Sequence, residues 1–129
     1  MSQKFNLEII SPEKIIYSSE PAEVIIPSYE GYMTILYDHS ALITFLRPGV
    51  IESKGIETKK YFVEEGTVEF FNNKMLILTS TAFDLEELNK EKIDKMIDSN
   101  LKTLEEKDIN DKKRFILSHK VDVLRLISQ

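Results

Sequence analysis

Cysteine and tryptophan are absent from this chain of 129 residues, and glycine, proline and histidine are scarce. Without cysteine, neither a disulfide framework nor a thiolate metal site can form. None of the four glycines has the spacing of a phosphate-binding G-x-x-x-x-G-K-[ST] or G-x-G-x-x-G loop. These absences exclude disulfide-stabilised scaffolds and the common nucleotide-binding loops.

Long apolar runs and a surplus of positive charge are also missing. The longest apolar runs, such as residues 75–78, are far shorter than the roughly 20 residues that span a bilayer. The net charge of −5 disfavours nucleic-acid binding, which needs clustered lysine and arginine. With 42% hydrophobic and 30% charged residues, the composition is typical of a soluble globular domain, alone or with a small appendage.

No catalytic motif is present. The chain has neither G-x-S-x-G nor H-E-x-x-H, and its two histidines, His39 and His119, lack a second ligand at metal spacing. A small hydrolase using His39 would need a serine that only the fold could bring close. We therefore expect a non-catalytic protein that binds no metal and no cofactor.

Residues 1–83 have the pattern of many short strands. Phe5, Leu7 and Ile9 alternate with polar residues, the period of two that places one face of a strand on a core. Further runs lie at 15–17, 24–26, 33–36, 42–46, 50–51, 61–63, 68–71 and 75–79, with turn residues between them. This spacing predicts an all-β sandwich or barrel. Asn72-Asn73 predicts a tight hairpin, and Gly66, inside a strand-like run, predicts a bulge.

The period changes near Asp84. Asp84 and Glu87 have the spacing of a capping box, which predicts that a helix begins there. Two apolar stripes at three- and four-residue steps follow, Ile93, Met96, Ile97, Leu101 and Leu104, then Ile116, Leu117, Val121, Val123, Leu124 and Ile127. Asp108 or Asn110 could cap the second helix. The sequence therefore predicts a β head over 1–84 and an antiparallel two-helix hairpin over 85–129.

Several ordered segments carry a resemblance to a known family. They are Phe5–Glu13, Tyr17-Ser18, Val24–Pro27, Glu30-Gly31, Ile35-Leu36, His39, Leu42–Thr44, Arg47–Val50, Phe62–Gly66 and Leu76–Thr79. In this order and spacing the chain resembles, along nearly its full length, the epsilon subunit of bacterial F-type ATP synthase, which is equivalent to the mitochondrial delta subunit.

The resemblance implies a coupling function without an active site. In the family the β head packs against the central-stalk subunit gamma and stands on the polar loops of the membrane c-ring, so that rotation driven by protons or sodium ions reaches the catalytic subunits through gamma. Carried over by position, Ser11, His39 and Thr44 would contact gamma, and Glu30, Gly31 and Tyr32 would contact the c-ring. The implied location is peripheral, on the cytoplasmic side of the cell inner membrane, with membrane contact only through the complex.

The chain departs from the family pattern in its loops. Thr34 replaces a second glycine three residues after Gly31, and Glu65 precedes Gly66 where a glycine pair is common. The stretch Tyr37-Asp38-His39-Ser40-Ala41 stands where Pro-Gly-His-Ala-Pro is frequent. We expect the fold to survive these changes and individual contacts to shift.

The hairpin carries two further expectations from the family. Some members bind ATP through Ile/Leu-Asp-x-x-Arg-Ala, and the matching residues here are Leu88, Asn89, Lys92 and Ile93. An ammonium does not replace a planar guanidinium at a bidentate phosphate contact, so we expect no useful ATP binding.

In many members the hairpin can also extend along gamma and inhibit ATP hydrolysis. The basic residues of the second helix, Lys112, Lys113, Arg114, Lys120 and Arg125, could then meet acidic loops of the alpha and beta catalytic subunits. A solvated helix face explains the same run without a partner. Outside the family, a free-standing β-sandwich binding module with a helical dimerisation arm would also fit the pattern.

Overall fold

A computed structural model describes residues 3–128 and divides the chain into two compact units, with the boundary between Leu85 and Glu86. We call residues 3–85 the head and residues 86–128 the hairpin. The head's strands are β1 Asn6–Ile10, β2 Ile15–Ser19, β3 Glu23–Ser28, β4 Gly31–Leu36, β5 Leu42–Leu46, β6 Gly49–Lys54, β7 Thr58–Val63, β8 Gly66–Phe71, β9 Lys74–Leu78 and β10 Ala82–Asp84. The hairpin's helices are α1 Lys90–Leu104 and α2 Asp111–Ile127. The predicted β head followed by two helices is confirmed.

The strands of the head follow the order β10-β7-β6-β3-β5-β8-β9-β1-β2, and β4 pairs with the other edge of β3. Strand β3 pairs with β6 over Glu23–Ile25 but meets β5 only where Ser28 lies opposite Leu46. The sheet therefore turns a corner at Ser28. Five strands lie on each side of that corner, which gives the two layers of a sandwich.

One core fills the head. The side chains that alternate inward along the strands include Leu7 and Ile9, Val24 and Ile26, Val68 and Phe70, Met75 and Ile77, and all are at most 2% exposed. Strand β1 joins the sheet by a parallel pairing with β9, from Asn6 opposite Lys74 to Ile10 opposite Leu78. The first and ninth strands are thus fixed side by side, although almost seventy residues separate them.

Two local predictions, the hairpin at Asn72-Asn73 and the bulge at Gly66, can be compared with the structure. Asn72 and Asn73 have φ angles of 49° and 58° and connect β8 to β9, so the predicted tight hairpin is confirmed. The predicted bulge at Gly66 is wrong, because Gly66 begins β8 and its register with β5 is continuous. Glycine is needed there for space, since a Cβ would lie 2.3 Å from the carbonyl oxygen of Leu78. A register shift occurs instead in the pairing of β1 with β2, where Ile9 lies opposite Tyr17 and Ile10 opposite Ile15.

The predicted start of the first helix was wrong. Asp84 is the last residue of β10, opposite Tyr61, and its carboxylate accepts a hydrogen bond from Lys59 Nζ at 2.6 Å. The helix begins six residues later, because Asn89 is its N-cap and accepts a hydrogen bond from the Lys92 amide at 2.8 Å.

The second helix begins at one of the two predicted caps. Asn110 Oδ1 accepts a hydrogen bond from the Lys113 amide at 2.7 Å, so Asn110 rather than Asp108 is the N-cap of α2. The six-residue connection from Leu104 to Asp111 and the packing of α1 against α2 make the helices antiparallel. Ile93 and Asn100 of α1 are buried, as are Val121, Val123 and Leu124 of α2.

Candidate docking surfaces

The described residues, 3–128, hold no group of three or more histidine, aspartate or glutamate side chains placed to bind a metal ion. No helix within this range is both long and apolar enough to cross a membrane. The surface is distinctive instead in its exposed apolar side chains.

Among the described residues, five of the twelve large apolar side chains that are exposed lie on one face of the sheet. In β5, Leu42 and Leu46 point towards the core, so Ile43 and Phe45 point to solvent and are 72% and 59% exposed. Directly opposite residues of neighbouring strands share a face of the sheet. The pairing register therefore decides which residues of β8, β9, β1 and β2 lie beside Ile43 and Phe45.

The register extends this apolar surface across five strands. Phe45 lies opposite Thr67, Thr67 opposite Leu78, Leu78 opposite Ile10, and Ile10 opposite Ile15. Phe71 of β8 lies on the same side and is 64% exposed. We call the exposed members Ile15, Ile43, Phe45, Phe71 and Leu78 the outer face. Monomeric proteins seldom leave so many large apolar side chains together in water.

A shallow groove of about 650 Å³ lies on the same side of the sheet. Leu76 lines it, and the register places Glu69 on one side of Leu76 and Glu8 on the other. Phe71 and Lys74 line it as well. On this side of the sheet, the apolar outer face is therefore adjacent to the carboxylates of Glu8 and Glu69, and such a mixture is typical of a protein interface.

The three residues predicted to contact gamma occupy different positions around this surface. Ser11 lies in the turn between β1 and β2, where its hydroxyl accepts hydrogen bonds from the amides of Glu13 and Lys14, each at 3.3 Å. The His39 ring is half-buried and packs edge-on against Phe70, with ring centroids 5.9 Å apart.

Thr44 differs from the other two. It lies opposite Val68, on the core-facing side of β5, so its neighbours Ile43 and Phe45 form the solvent-facing side. Ile43 and Phe45 were not among the predicted contacts, because residues 42–46 carry apolar side chains on both faces of the strand and the sequence alone does not show which face is buried.

The residues predicted to contact the c-ring form the turn between β3 and β4. Ser28 donates a hydrogen bond to the Gly31 carbonyl at 2.7 Å, and Gly31 has a φ of 118°, which favours glycine. Glu30 and Tyr32 are exposed, and so is Tyr29 between them and Ser28. The turn therefore presents two tyrosines and a carboxylate at one end of the head.

Tyr32 of β4 is held in place by a contact with β6. Its hydroxyl accepts a hydrogen bond from the Val50 amide at 3.3 Å. A Cβ at position 49 would lie 2.5 Å from the Pro27 side chain and 3.0 Å from the Tyr32 hydroxyl, so only glycine fits there. The Arg47–Val50 segment thus packs against both strands that the turn connects.

The basic residues of α2 do not form one stripe. At 100° per residue, Arg114 and Arg125 lie on one side of the helix, Lys113 and Lys120 on another, and Lys112 on a third. The Arg114 guanidinium donates a hydrogen bond to the carbonyl of Leu104 at 3.1 Å. Arg114 therefore satisfies an unpaired carbonyl at the end of α1 and complements the helix dipole there.

The four residues that match the nucleotide motif lie at the start of α1. The Asn89 side-chain oxygen is engaged in the cap, and the Ile93 side chain is 3% exposed. Lys92 is exposed, and Leu88 is half-buried. None of these four residues carries a guanidinium. For a phosphate they would provide only the ammonium of Lys92, since the side-chain oxygen of Asn89 already accepts a hydrogen bond in the cap.

Comparison with known proteins assigns the family. Residues 4–84 match the profile of the ATP synthase delta/epsilon chain beta-sandwich domain. The chain is 40% identical over 131 residues to the ATP synthase epsilon chain of Pelagibacter ubique (strain HTCC1062), with 99% of this chain and 100% of the relative covered. It is 34% identical over 113 residues to that of Brucella canis, with 86% and 84% covered.

Solved structures show the same fold. A chain of the Euglena gracilis mitochondrial ATP synthase OSCP/F1/c-ring structure matches with a TM-score of 0.74 at 20% identity, covering 97% of this chain and 79% of that one. A chain of the Tetrahymena thermophila mitochondrial ATP synthase central stalk/c-ring structure matches with a TM-score of 0.68 at 16% identity, covering 99% and 98%. Sequence and fold agree, and the chain belongs to the ATP synthase epsilon chain family.

Proposed function

We propose that this chain is a non-catalytic central-stalk subunit of a proton-translocating F-type ATP synthase, and that it couples rotation of the c-ring to the gamma subunit. The observation that carries the proposal is the outer face, which a free-standing domain would not leave in water. The structures with the same fold come from an F1/c-ring assembly and a central stalk/c-ring assembly, which supports the same role here.

Gamma is the partner proposed for the outer face. Fully burying a large apolar side chain contributes roughly 1.5–3 kcal/mol, so the five members of this surface can offset much of the cost of association. Ser11 and His39 border it, from the β1–β2 turn and from the loop before β5. Thr44 would act through its exposed neighbours in β5.

The c-ring is the partner proposed for the turn formed by Glu30, Gly31 and Tyr32. A contact that transmits torque from the c-ring needs a turn whose conformation does not change under force. The Ser28 hydrogen bond and the contact of Tyr32 with β6 hold this turn at both ends. The subunit would then contact the membrane only through the ring, as a peripheral protein on the cytoplasmic side of the inner membrane.

Isothermal titration of gamma with two matched variants tests the gamma interface. Ile43→Asp puts a charge on the outer face, whereas Ile56→Asp makes the same change at the tip of the β6–β7 hairpin, where Ile56 is 94% exposed. We expect Ile43→Asp to weaken gamma binding by at least about a hundredfold, because burying an unpaired charge is costly. Ile56→Asp should bind like the wild type. Equal effects of the two variants would contradict this assignment of the interface.

Inhibition of ATP hydrolysis by the hairpin is the second part of the proposal. An extended hairpin must separate α1 from α2 and break the hydrogen bond from Arg114 to Leu104. It would then free the Arg114 guanidinium, with Lys112, Lys113, Lys120 and Arg125, for acidic loops of the catalytic subunits. Deleting residues 86–129 should raise ATP hydrolysis by the assembled enzyme, and unchanged hydrolysis would show that this hairpin does not inhibit.

ATP is not proposed as a ligand of the hairpin. Asn89 caps α1, and Lys92 supplies a single point charge without the fork of a guanidinium. Calorimetry of the isolated protein should show no sub-millimolar affinity for ATP. Such affinity, if measured, would overturn this part of the proposal.

The two alternatives outside the family, a binding module and a hydrolase, are less well supported. A free-standing binding module with a dimerisation arm predicts a stable homodimer without affinity for gamma, and a hydrolase predicts turnover that His39→Ala abolishes. Neither is supported by the family match, and the His39 ring packs against Phe70 while its Nδ1 lies 2.9 Å from the backbone carbonyl oxygen of Ser40.

A further inference from the structure

The loop between β4 and β5 contains a residue in a conformation that side chains seldom adopt. The His39 amide donates to the Leu36 carbonyl at 3.1 Å and closes a four-residue turn, in which Asp38 has a φ of 63°. This is the left-handed region, where glycine is favoured and where aspartate and asparagine are tolerated better than other side chains. Hydrogen bonds to Asp38 from outside the turn would stabilise this conformation further.

Such hydrogen bonds come from the hairpin between β8 and β9. The Asp38 amide donates to Asn73 Oδ1 at 2.6 Å, and Asn73 Nδ2 donates to Asp38 Oδ1 at 2.8 Å. The two residues are 35 positions apart and make a reciprocal pair of hydrogen bonds. The Asn73 carbonyl also accepts a hydrogen bond from the Asn6 amide at 3.0 Å, so one residue links three segments of the head.

A second contact fixes the same loop. The His39 ring lies edge-on against Phe70, which precedes the hairpin in β8. The next residue, Phe71, belongs to the outer face, and the loop leads directly into β5, which carries Ile43. The loop is thus the rim of the outer face, and it is anchored to β8 and to the β8–β9 hairpin.

We propose that Asn73 is a positioning residue for the gamma interface, because it holds the rim loop of residues 37–40 in the conformation in which gamma is bound. This inference rests on the proposed function. A loop that is ordered before association loses less conformational entropy on binding, so a preformed rim raises affinity without contributing contacts of its own.

The test uses substitutions that differ only in their place within one hairpin. Asn73→Asp retains a side chain that tolerates a positive φ, but it removes the Nδ2 donor and sets a carboxylate against that of Asp38. Asn72→Asp makes the same change one residue earlier, where φ is 49°, whereas both side-chain hydrogen bonds to Asp38 come from Asn73. In the double variant Asp38→Asn with Asn73→Asp, the side-chain amide at position 38 can donate to the carboxylate at position 73. The reciprocal pair of hydrogen bonds is thus restored, with the side-chain donor now on the loop.

Each variant is titrated with purified gamma, and exchange of the residue-38 amide is followed by NMR. Asn73→Asp should bind gamma about tenfold more weakly and exchange this amide faster, since the hydrogen bond from Nδ2 is lost and the two facing carboxylates repel each other. Asn72→Asp should remain within about twofold of the wild type, as surface substitutions usually do. The double variant should recover both affinity and slow exchange.

The outcomes separate this inference from the proposed function. If wild type fails to bind gamma, the proposed function is overturned and the binding role of Asn73 with it. If wild type binds and Asn73→Asp binds equally well, only the positioning role is wrong. Weak binding by Asn73→Asp that the double variant does not rescue would also overturn it, because the reciprocal pair would then not be the cause.

Discussion

In the head, fourteen buried apolar residues from strands far apart in sequence form one core, whereas α1 buries two residues and α2 buries three. The head also satisfies its backbone groups through a continuous ladder from β10 to β2. The hairpin relies on its own helical hydrogen bonds, two asparagine caps and one arginine at the end of α1. Such a difference predicts a head that opens only at high free energy and a hairpin that unfolds locally at lower free energy.

The largest effect should come from opening the core of the head. Phe70 is 1% exposed and packs edge-on against Phe5, with centroids 5.4 Å apart. Phe70→Ala should lower the free energy of unfolding of the head by about 3–5 kcal/mol, measured by urea denaturation of the whole chain. A loss below 1 kcal/mol would mean that this core is much less tightly packed than its burial indicates.

The matched change in the hairpin should leave the head intact. Leu124 is fully buried, so Leu124→Ala should cost about 2–5 kcal/mol of local stability in the hairpin. We expect helix content to fall at a lower urea concentration while the transition of the head keeps its midpoint. A shared shift of both transitions would show that the two units unfold together, and the comparison would fail.

A smaller effect within the head should come from Gly66. Gly66→Ala brings a Cβ against the Leu78 carbonyl oxygen and should destabilise the head by about 1–3 kcal/mol, through strain rather than a cavity. Gly55→Ala is the control, because its nearest atom would be 3.2 Å away and its φ lies outside the left-handed region. Equal melting temperatures for the two variants would contradict the crowding seen at Leu78.

The smallest effect should come from the hairpin cap. Asn110→Ala removes the acceptor for the Lys113 amide and should cost about 1 kcal/mol of hairpin stability. Circular dichroism should show fraying of α2 with the head unchanged. Asn110→Asp is the control, since aspartate caps a helix as well as asparagine, and helicity should be retained.

Much of the head could be predicted because its information is local. Alternation in residues 5–9 and the Asn72-Asn73 turn each follow from a few neighbouring residues. The short strand β10 was missed because its three residues precede an acidic stretch that also fits a capping box. Asp84 joins β10 through long-range pairing with β7 and Lys59, which the sequence around it does not show.

The candidate surface was harder to predict than the fold. Which side of β5 faces solvent depends on the sheet as a whole, since residues 42–46 are apolar on both sides. The contact between Asp38 and Asn73 joins positions that only the folded head brings together. Of the positions carried over from the family resemblance, Thr44 lies in β5 but on its core-facing side, and only the pairing register identifies the exposed residues beside it.

The parallel pairing of β1 with β9 has a consequence for synthesis of the chain. Strand β1 is made first, yet one of its two partners ends at Leu78. The hydrophobic side of β1 therefore cannot be fully buried until most of the head has left the ribosome. Contacts between residues so far apart in sequence also form slowly. A nascent chain that stalls before β9 would expose Leu7 and Ile9, which makes this interval the one in which chaperones would be needed.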